Sequence, residues 1–203
     1  MAQMGRPRTF DRDAAIDQAM NLFWEHGYDS TSLNQLKATI GGGISAPSFY
    51  AAFGSKEALF KEVMARYLST HGRVTDSLFD DTLAPRDAIE LTLRRSARMQ
   101  TDVDHPTGCL VSLGWMSACS EESKAISQPL AQTRALNRAG IVKCIERGVA
   151  QGQLRATVDV EALATMFDSF LSGLSTLARD GVSHAALDAA VTQVMTVWDA
   201  SAK

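Results

Sequence analysis

The sequence predicts an all-α protein, with an N-terminal three-helix helix-turn-helix domain followed by a larger C-terminal helical domain. Three observations carry this. Helix-start residues stand directly before apolar runs, apolar residues recur at spacings of three and four, and the glycine cluster Gly41-Gly42-Gly43 separates two short helical runs rather than following a strand.

Asp11 opens the first helix, in which Ile16, Ala19, Met20 and Phe23 share a face and which Gly27 ends. Thr31 precedes Leu33 and Leu36, Ser45 precedes Ala46 and Pro47, and Ser55 precedes Ala58, Leu59 and Phe60, so each run begins with a hydroxyl able to satisfy free backbone N–H groups. The glycines between the first two of these runs can adopt positive φ and stop the helix before Ile44 re-enters the core. In such a unit the second helix lies in the DNA major groove, and neighbouring helix starts hold phosphates. Ahead of the first helix, Arg6 and Arg8 flank Pro7 with no acid before Asp11, which suits a flexible arm reaching phosphates or the minor groove.

These residues resemble a known family. The pattern GRPR, then FDRDAAIDQAMNLFWEHGYDSTSL, then SAPSFYAAFGSKEALF is similar to the N-terminal domain of TetR/AcrR-type bacterial transcriptional regulators over residues 5 to 65. The combination of Gly-Tyr-x-x-Thr-Ser with Tyr-x-x-Phe-x-Ser-Lys-Glu carries the resemblance. It implies a homodimer that binds a palindromic double-stranded DNA operator, represses from it, and leaves when the C-terminal domain takes a small-molecule effector. Carried over by position, Thr31, Ser45, Ala46, Pro47, Ser48, Tyr50 and Lys56 fall where the family contacts DNA. Thr31 and Lys56 are expected to hold phosphates, Tyr50 to meet the backbone, and Ala46 to Ser48 to face bases.

The glycine turn departs from the family pattern by being longer than its usual single-glycine turn, so either the preceding helix extends or the turn bulges. Ala46, Pro47 and Ser48 include none of the Arg, Asn or Gln residues that pair bidentately with bases, which shifts specificity toward thymine methyl contacts and DNA shape. Residues 1 to 70 are also charge-neutral, and the whole net charge of −3 lies beyond them. The basic footprint usual in a DNA-binding domain is missing.

The chain is divided here at residue 54, with a reading domain over 1–54 and an effector and dimerisation domain over 55–203. Its 203 residues, 45% hydrophobic and 21% charged, suffice for both. In the second part, residues 55 to 79 read as one connecting helix. Pro85 opens the next, GCLVSLGWMSACS forms a short apolar one, and a long one runs from about Glu121 to Gly152. Asp159 caps a helix through Phe167, Phe170 and Leu174, and the last helix starts near His184.

The family resemblance implies dimerisation through these last two helices as a four-helix bundle; equally, Phe167, Phe170 and Trp198 read as core of a single chain. An effector pocket is expected among the middle helices, with Met99, Cys109, Leu110, Leu113, Trp115, Met116, Phe167 and Phe170 in its wall, suited to a hydrophobic or reactive molecule.

Thr107 can cap the short helix, which would put the Cys109 thiol in its first turn, where the helix dipole favours thiolate. The segment GCLVSLGWMSACSEES resembles a subgroup of these regulators with Gly-Cys-Leu here, some of which detect reactive compounds with that cysteine. The apolar Leu110, Val111 and Leu113 argue instead for a buried sulfur. Cys119 lies nearly three helical turns from Cys109, about 15 Å, too far for a disulfide within one helix.

His105, Cys109, Met116 and Cys119 match no compact metal site, so no metal and no cofactor is expected. The catalytic motifs of phosphate-binding, hydrolase and metalloprotease enzymes are absent, and the expectation is not an enzyme. No apolar run is long enough for a membrane span and no apolar stretch after a basic start resembles a secretion signal, which predicts a cytoplasmic protein with no membrane partner. The alternative to a regulator is an all-α small-molecule or thiol-reactive binding protein without specific DNA binding.

Overall fold

The computed structural model describes residues 11–117, 120, 121 and 123–203. Arg6, Arg8 and Cys119 lie outside them. Among the described residues the regular structure is helical: α1 Arg12–His26, α2 Leu33–Thr39, α3 Ala46–Phe53, α4 Lys56–Ser69, α5 Pro85–Gln100, α6 Leu110–Ser117, α7 Lys124–Ala150, α8 Val160–Arg179 and α9 His184–Ser201.

Side-chain caps start most of these helices. Asp11 accepts from the backbone of Asp13 and Ala14, Ser45 from Ser48, Ser55 from Ala58, Asp159 from Ala162 and Ser183 from Ala186. At α2 the expectation for Thr31 fails by one residue. Ser32 is the cap, and it forms a reciprocal capping box with Gln35. Thr31 is fully buried, and its hydroxyl donates to the Gly27 carbonyl at 2.7 Å, fastening the end of α1 instead.

The turn between α2 and α3 bulges rather than extending α2. A single 3₁₀ turn covers Ile40–Gly42, and Gly41, Gly42 and Gly43 take φ of 59°, 74° and 112°, a run of left-handed backbone that residues with a Cβ resist.

The connecting helix over 55 to 79 is also corrected. α4 stops at Ser69, Thr70 breaks the helical path with φ −123° and ψ −93°, and a 3₁₀ segment covers His71–Phe79. The Thr70 hydroxyl folds back onto the Arg66 carbonyl at 2.8 Å. At Gly72 a Cβ would stand 3.2 Å from the Tyr67 carbonyl and the Leu68 side chain, a close fit that a larger residue would have to relax.

Two cores result. The first joins α1, α2, α3 and α4 through Phe23, Trp24, Leu36, Phe49, Phe60 and Tyr67, and continues into Leu110 and Val111 of α6 and Ile126 and Leu130 of α7. The second fills the space among α5, α7, α8 and α9. Phe167 and Trp198 are fully buried in it, which settles both as core within one chain. Trp198 packs so close to α7 that a Cβ at Gly148 would lie 2.9 Å from its ring.

Phe60 is 1% exposed and meets Phe23 edge-on at a ring separation of 5.0 Å. Phe60→Ala is expected to lower the unfolding free energy by about 3–5 kcal/mol, through lost transfer energy and the cavity left behind. Urea unfolding at fixed protein concentration measures this; a loss under about 1 kcal/mol would mean the first core can collapse around the gap.

Candidate functional sites

The first site is the exposed face of α3. Phe49 and Phe53 anchor its inner side, and Pro47 stands in its first turn, where the missing N–H is harmless. Ser45, Pro47, Ser48 and Tyr50 face solvent, with Tyr50 51% exposed, while Ala46 is half-buried. Ser45 and Ser48 hydroxyls lie 2.9 Å apart. At the start of α4, the Lys56 ammonium lies 4.2 Å from the Tyr28 ring centroid, which sets it beside the chain leading into α2. Thr31 offers no side chain to this surface because it is buried; its exposed neighbour Ser32 stands at the start of α2.

A residue not anticipated from sequence braces this unit. Gln18 of α1 accepts the Gly41 N–H at 2.9 Å, and the Ile44 N–H returns to the Lys37 carbonyl at 2.8 Å, so the glycine turn is pinned on both sides. A polar residue among the apolar positions of α1 was the available signal.

The second site is a small cavity of about 40 Å³ among α4, α5, α6, α7 and α8. Tyr67, Gln100, Cys109, Val111, Asp168 and Leu171 are among its lining residues. Of the seven residues expected there whose side chains are described, Cys109 lines it. Leu110 and Phe167 are core, and Phe170 is half-buried against the second core. Met99 lines an outer groove with His71 and Arg95, Leu113 and Met116 line surface clefts, and the Trp115 side chain lies outside the described set.

Cys109 does not sit inside the first turn of α6. The helix starts at Leu110, and the Cys109 carbonyl accepts the Leu113 N–H at 2.9 Å. Gly108, at φ 84°, turns the chain into this position, and a Cβ there would meet the Leu113 side chain at 2.5 Å. The half-buried Cys109 sulfur accepts a hydrogen bond from the Tyr67 hydroxyl at 3.3 Å. Burial, then the adjacent Cys109, push the Tyr67 phenol well above its ordinary value, which keeps it a donor. Across the cavity, burial raises the Asp168 carboxyl above its ordinary value, against the opposing pull of Arg138 and Arg134.

A cluster of rings joins the cavity wall to α1. His105 stacks on Trp24 at 4.5 Å, His71 meets His105 at 4.6 Å, and Tyr67 meets Trp24 at 5.0 Å. From the far end of α8, Arg179 donates to the Trp24 carbonyl at 2.8 Å, satisfying the C-terminal end of α1. Ser120 reaches Asp29 through its backbone N–H at 2.9 Å and its hydroxyl at 2.7 Å. No group of three metal-ligating side chains occurs among the described residues, and none of their helices is long and apolar enough to cross a membrane.

Comparison with known proteins gives a consistent result. Residues 15–63 match the family model for bacterial regulatory proteins of the tetR family, and residues 85–194 match a tetracyclin repressor-like C-terminal domain. The HTH-type transcriptional repressor ComR of Escherichia coli is 33% identical over 196 residues, covering 96% of this chain and 91% of ComR. The HTH-type transcriptional repressor BdcR of the same organism is 37% identical over 111 residues, 54% of this chain and 55% of BdcR. Among solved structures, a cysteine mutant of the TetR family transcriptional regulator CifR, complexed with 26-bp double-strand operator DNA, is 40% identical with a TM-score of 0.84. That match covers 95% of this chain and all of the CifR chain.

The ring cluster makes stability pH-dependent. Burial, then the neighbouring His105, hold His71 below its ordinary value of 6.5, against the pull of Asp17 and Asp102. The unfolded chain therefore binds this proton more readily than the folded one, so the contribution is intact above 6.5 and falls away as pH drops below it. The melting temperature is expected to fall between about pH 7.5 and about pH 5.5, and less steeply in His71→Gln. Identical pH slopes in both proteins would remove His71 as the source.

Proposed function

The chain belongs to the TetR family of bacterial regulatory proteins, and on that premise we propose that α3 reads an operator while the cavity at Cys109 takes the effector that controls it. The protein is a ligand-responsive DNA-binding transcriptional repressor that acts as a homodimer on double-stranded DNA. A reader of bacterial operators works where the DNA is, in the cytoplasm. Binding without specific DNA recognition is the less favoured reading, because the similarity to an operator-bound regulator extends over 95% of the chain.

The observation that carries the assignment is the exposed, capped face of α3, fixed from behind by the same core that reaches α6 at the cavity wall. Ser45, Ala46, Pro47, Ser48 and Tyr50 supply its DNA contacts, with Lys56 and Ser32 on phosphates and the Arg6 and Arg8 arm beyond them. Few of these groups can make bidentate base contacts, so shape and methyl readout dominate. Dimerisation runs through α8 and α9. Exposed Leu177 and Val197 supply apolar contact, and at Gly173 a Cβ would meet nothing within 4 Å, which leaves room for a close partner helix. The reading domain is taken as residues 1–54 and the effector domain as 55–203.

The effector site is mixed in character, with apolar Val111 and Leu171 beside a thiol held by a phenol. A small organic molecule with an apolar body suits it, and a reactive one would meet the Cys109 sulfur.

Selection from a random DNA library followed by binding titrations tests this. One enriched palindrome bound by a dimer is expected, with affinity falling steeply as salt rises. Lys56→Ala should weaken binding about equally across related sequences and reduce the salt slope by about 1. Absence of enrichment with a well-folded dimer would overturn the assignment, and an unchanged salt slope in Lys56→Ala would remove Lys56 from the phosphate contacts.

A further inference from the structure

We infer that Gln100 reads a hydroxyl group on the effector, which makes the preferred ligand class a small uncharged alcohol with an apolar body. This rests on the assignment of the cavity as the effector site.

Gln100 is the last residue of α5, is 1% exposed, and lines the cavity. Its side-chain N–H donates to the Ser96 hydroxyl at 3.1 Å, and its Oε1 has no hydrogen-bond partner in the protein. A buried amide oxygen left unpaired is unfavourable, and a donor delivered by a ligand removes that cost. The nearby phenol does not serve, since the Tyr67 hydroxyl already donates to Cys109.

The remaining wall favours a neutral molecule. Leu68, Val74, Val111 and Leu171 are apolar, and the Asp168 carboxyl at the cavity has the Arg134 and Arg138 charges beside it. The carboxylate therefore calls for no cation from the ligand. A hydroxyl satisfies Oε1 without importing a charge that burial would penalise.

Gln100 is also placed to report occupancy. Its backbone carbonyl accepts the Gly108 N–H at 2.8 Å, in the loop that carries Cys109 and, four residues before it, the His105 ring stacked on Trp24 of α1. A ligand held on Gln100 thus bears on a segment that touches the reading domain.

The test uses the intact dimer, with 2-propanol and acetone as matched probes that fit a small cavity and differ in having or lacking a donor. Calorimetric titration is run on wild type and on Gln100→Met, which keeps an unbranched side chain but removes the acceptor. Wild type is expected to bind the alcohol about tenfold or more tightly than the ketone, and Gln100→Met to bind the two within about twofold of each other. Equal affinities in wild type, a preference that survives Gln100→Met, or no binding of either probe at millimolar concentration would each overturn the inference. The wild-type comparison stands alone if Gln100→Met fails to fold. Operator binding is measured on the same preparations without probe: its absence in wild type sinks the regulator assignment, whereas intact operator binding with no alcohol preference sinks only the role of Gln100.

Discussion

The packing of α1 against α4 is the constraint on which the rest of the molecule depends. Phe23, Trp24 and Tyr28 from one side and Phe60, Val63 and Tyr67 from the other form a close-packed aromatic seam, with Phe23 and Tyr28 both edge-on to Phe60. Aromatic pairs in this geometry add specificity to the area they bury. Because the same cluster continues into Leu110, Val111, Ile126 and Leu130, the helices that display α3 and the helices that bound the cavity share one interior. Such interiors are packed at crystal-like density and transmit displacement rather than absorbing it.

Electrostatics refine this arrangement, and the balanced charges of residues 1 to 70 take part in it. Arg66 of α4 pairs with Asp13 at 2.7 Å and Asp17 at 3.3 Å on α1, and Arg12 of α1 pairs with Glu62 of α4 at 2.7 Å. Each pair is partly exposed and contributes little to stability alone. Together they fix the register of α1 on α4 and engage acids that would otherwise repel phosphate. A second network does the same for a helix assigned to dimerisation: Arg86 holds Asp199 and Arg94 holds Asp188, tying α9 to α5, with Glu90 between the two arginines. The surface offered to a partner subunit is thereby set from inside the monomer.

The sequence disclosed most of the helices, because their ends are written locally in residues such as Asp11, Ser45, Ser55 and Asp159, and in Gly27. It failed where two local signals compete or where geometry is not local. Thr31 and Ser32 are adjacent hydroxyls, and only Gln35 three residues after Ser32 distinguishes the cap from the buried neighbour. The break at Thr70 is accompanied by a close approach at Gly72 that apolar spacing cannot reveal.

The lining of this cavity differs from the expected effector wall for a rotational reason. Leu110 gives way to Val111, Phe167 to Asp168, Phe170 to Leu171 and Met99 to Gln100, each displaced by a single residue. One residue is about 100° around a helix, enough to exchange a core face for a cavity face. Apolar periodicity finds the core, and a cavity wall is where that periodicity is interrupted by polar residues.

Two connections from the second part of the chain converge on Trp24. From the cavity side, Gln100 holds the loop at Gly108, and His105 of that loop stacks on the Trp24 ring; from α8, Arg179 holds the Trp24 carbonyl. Trp24 lies on α1, which also carries Gln18, the brace of the glycine turn ahead of α3. A rotation of α1 therefore acts on α3 through a hydrogen bond to backbone as well as through the shared core. Three consecutive glycines at positive φ have no side chains to hold the turn in place, so the Gln18 contact and the Ile44 return to Lys37 fix its shape. The cavity-side loop and α8 thus meet at one residue of α1, the helix that Gln18 links to the glycine turn ahead of α3.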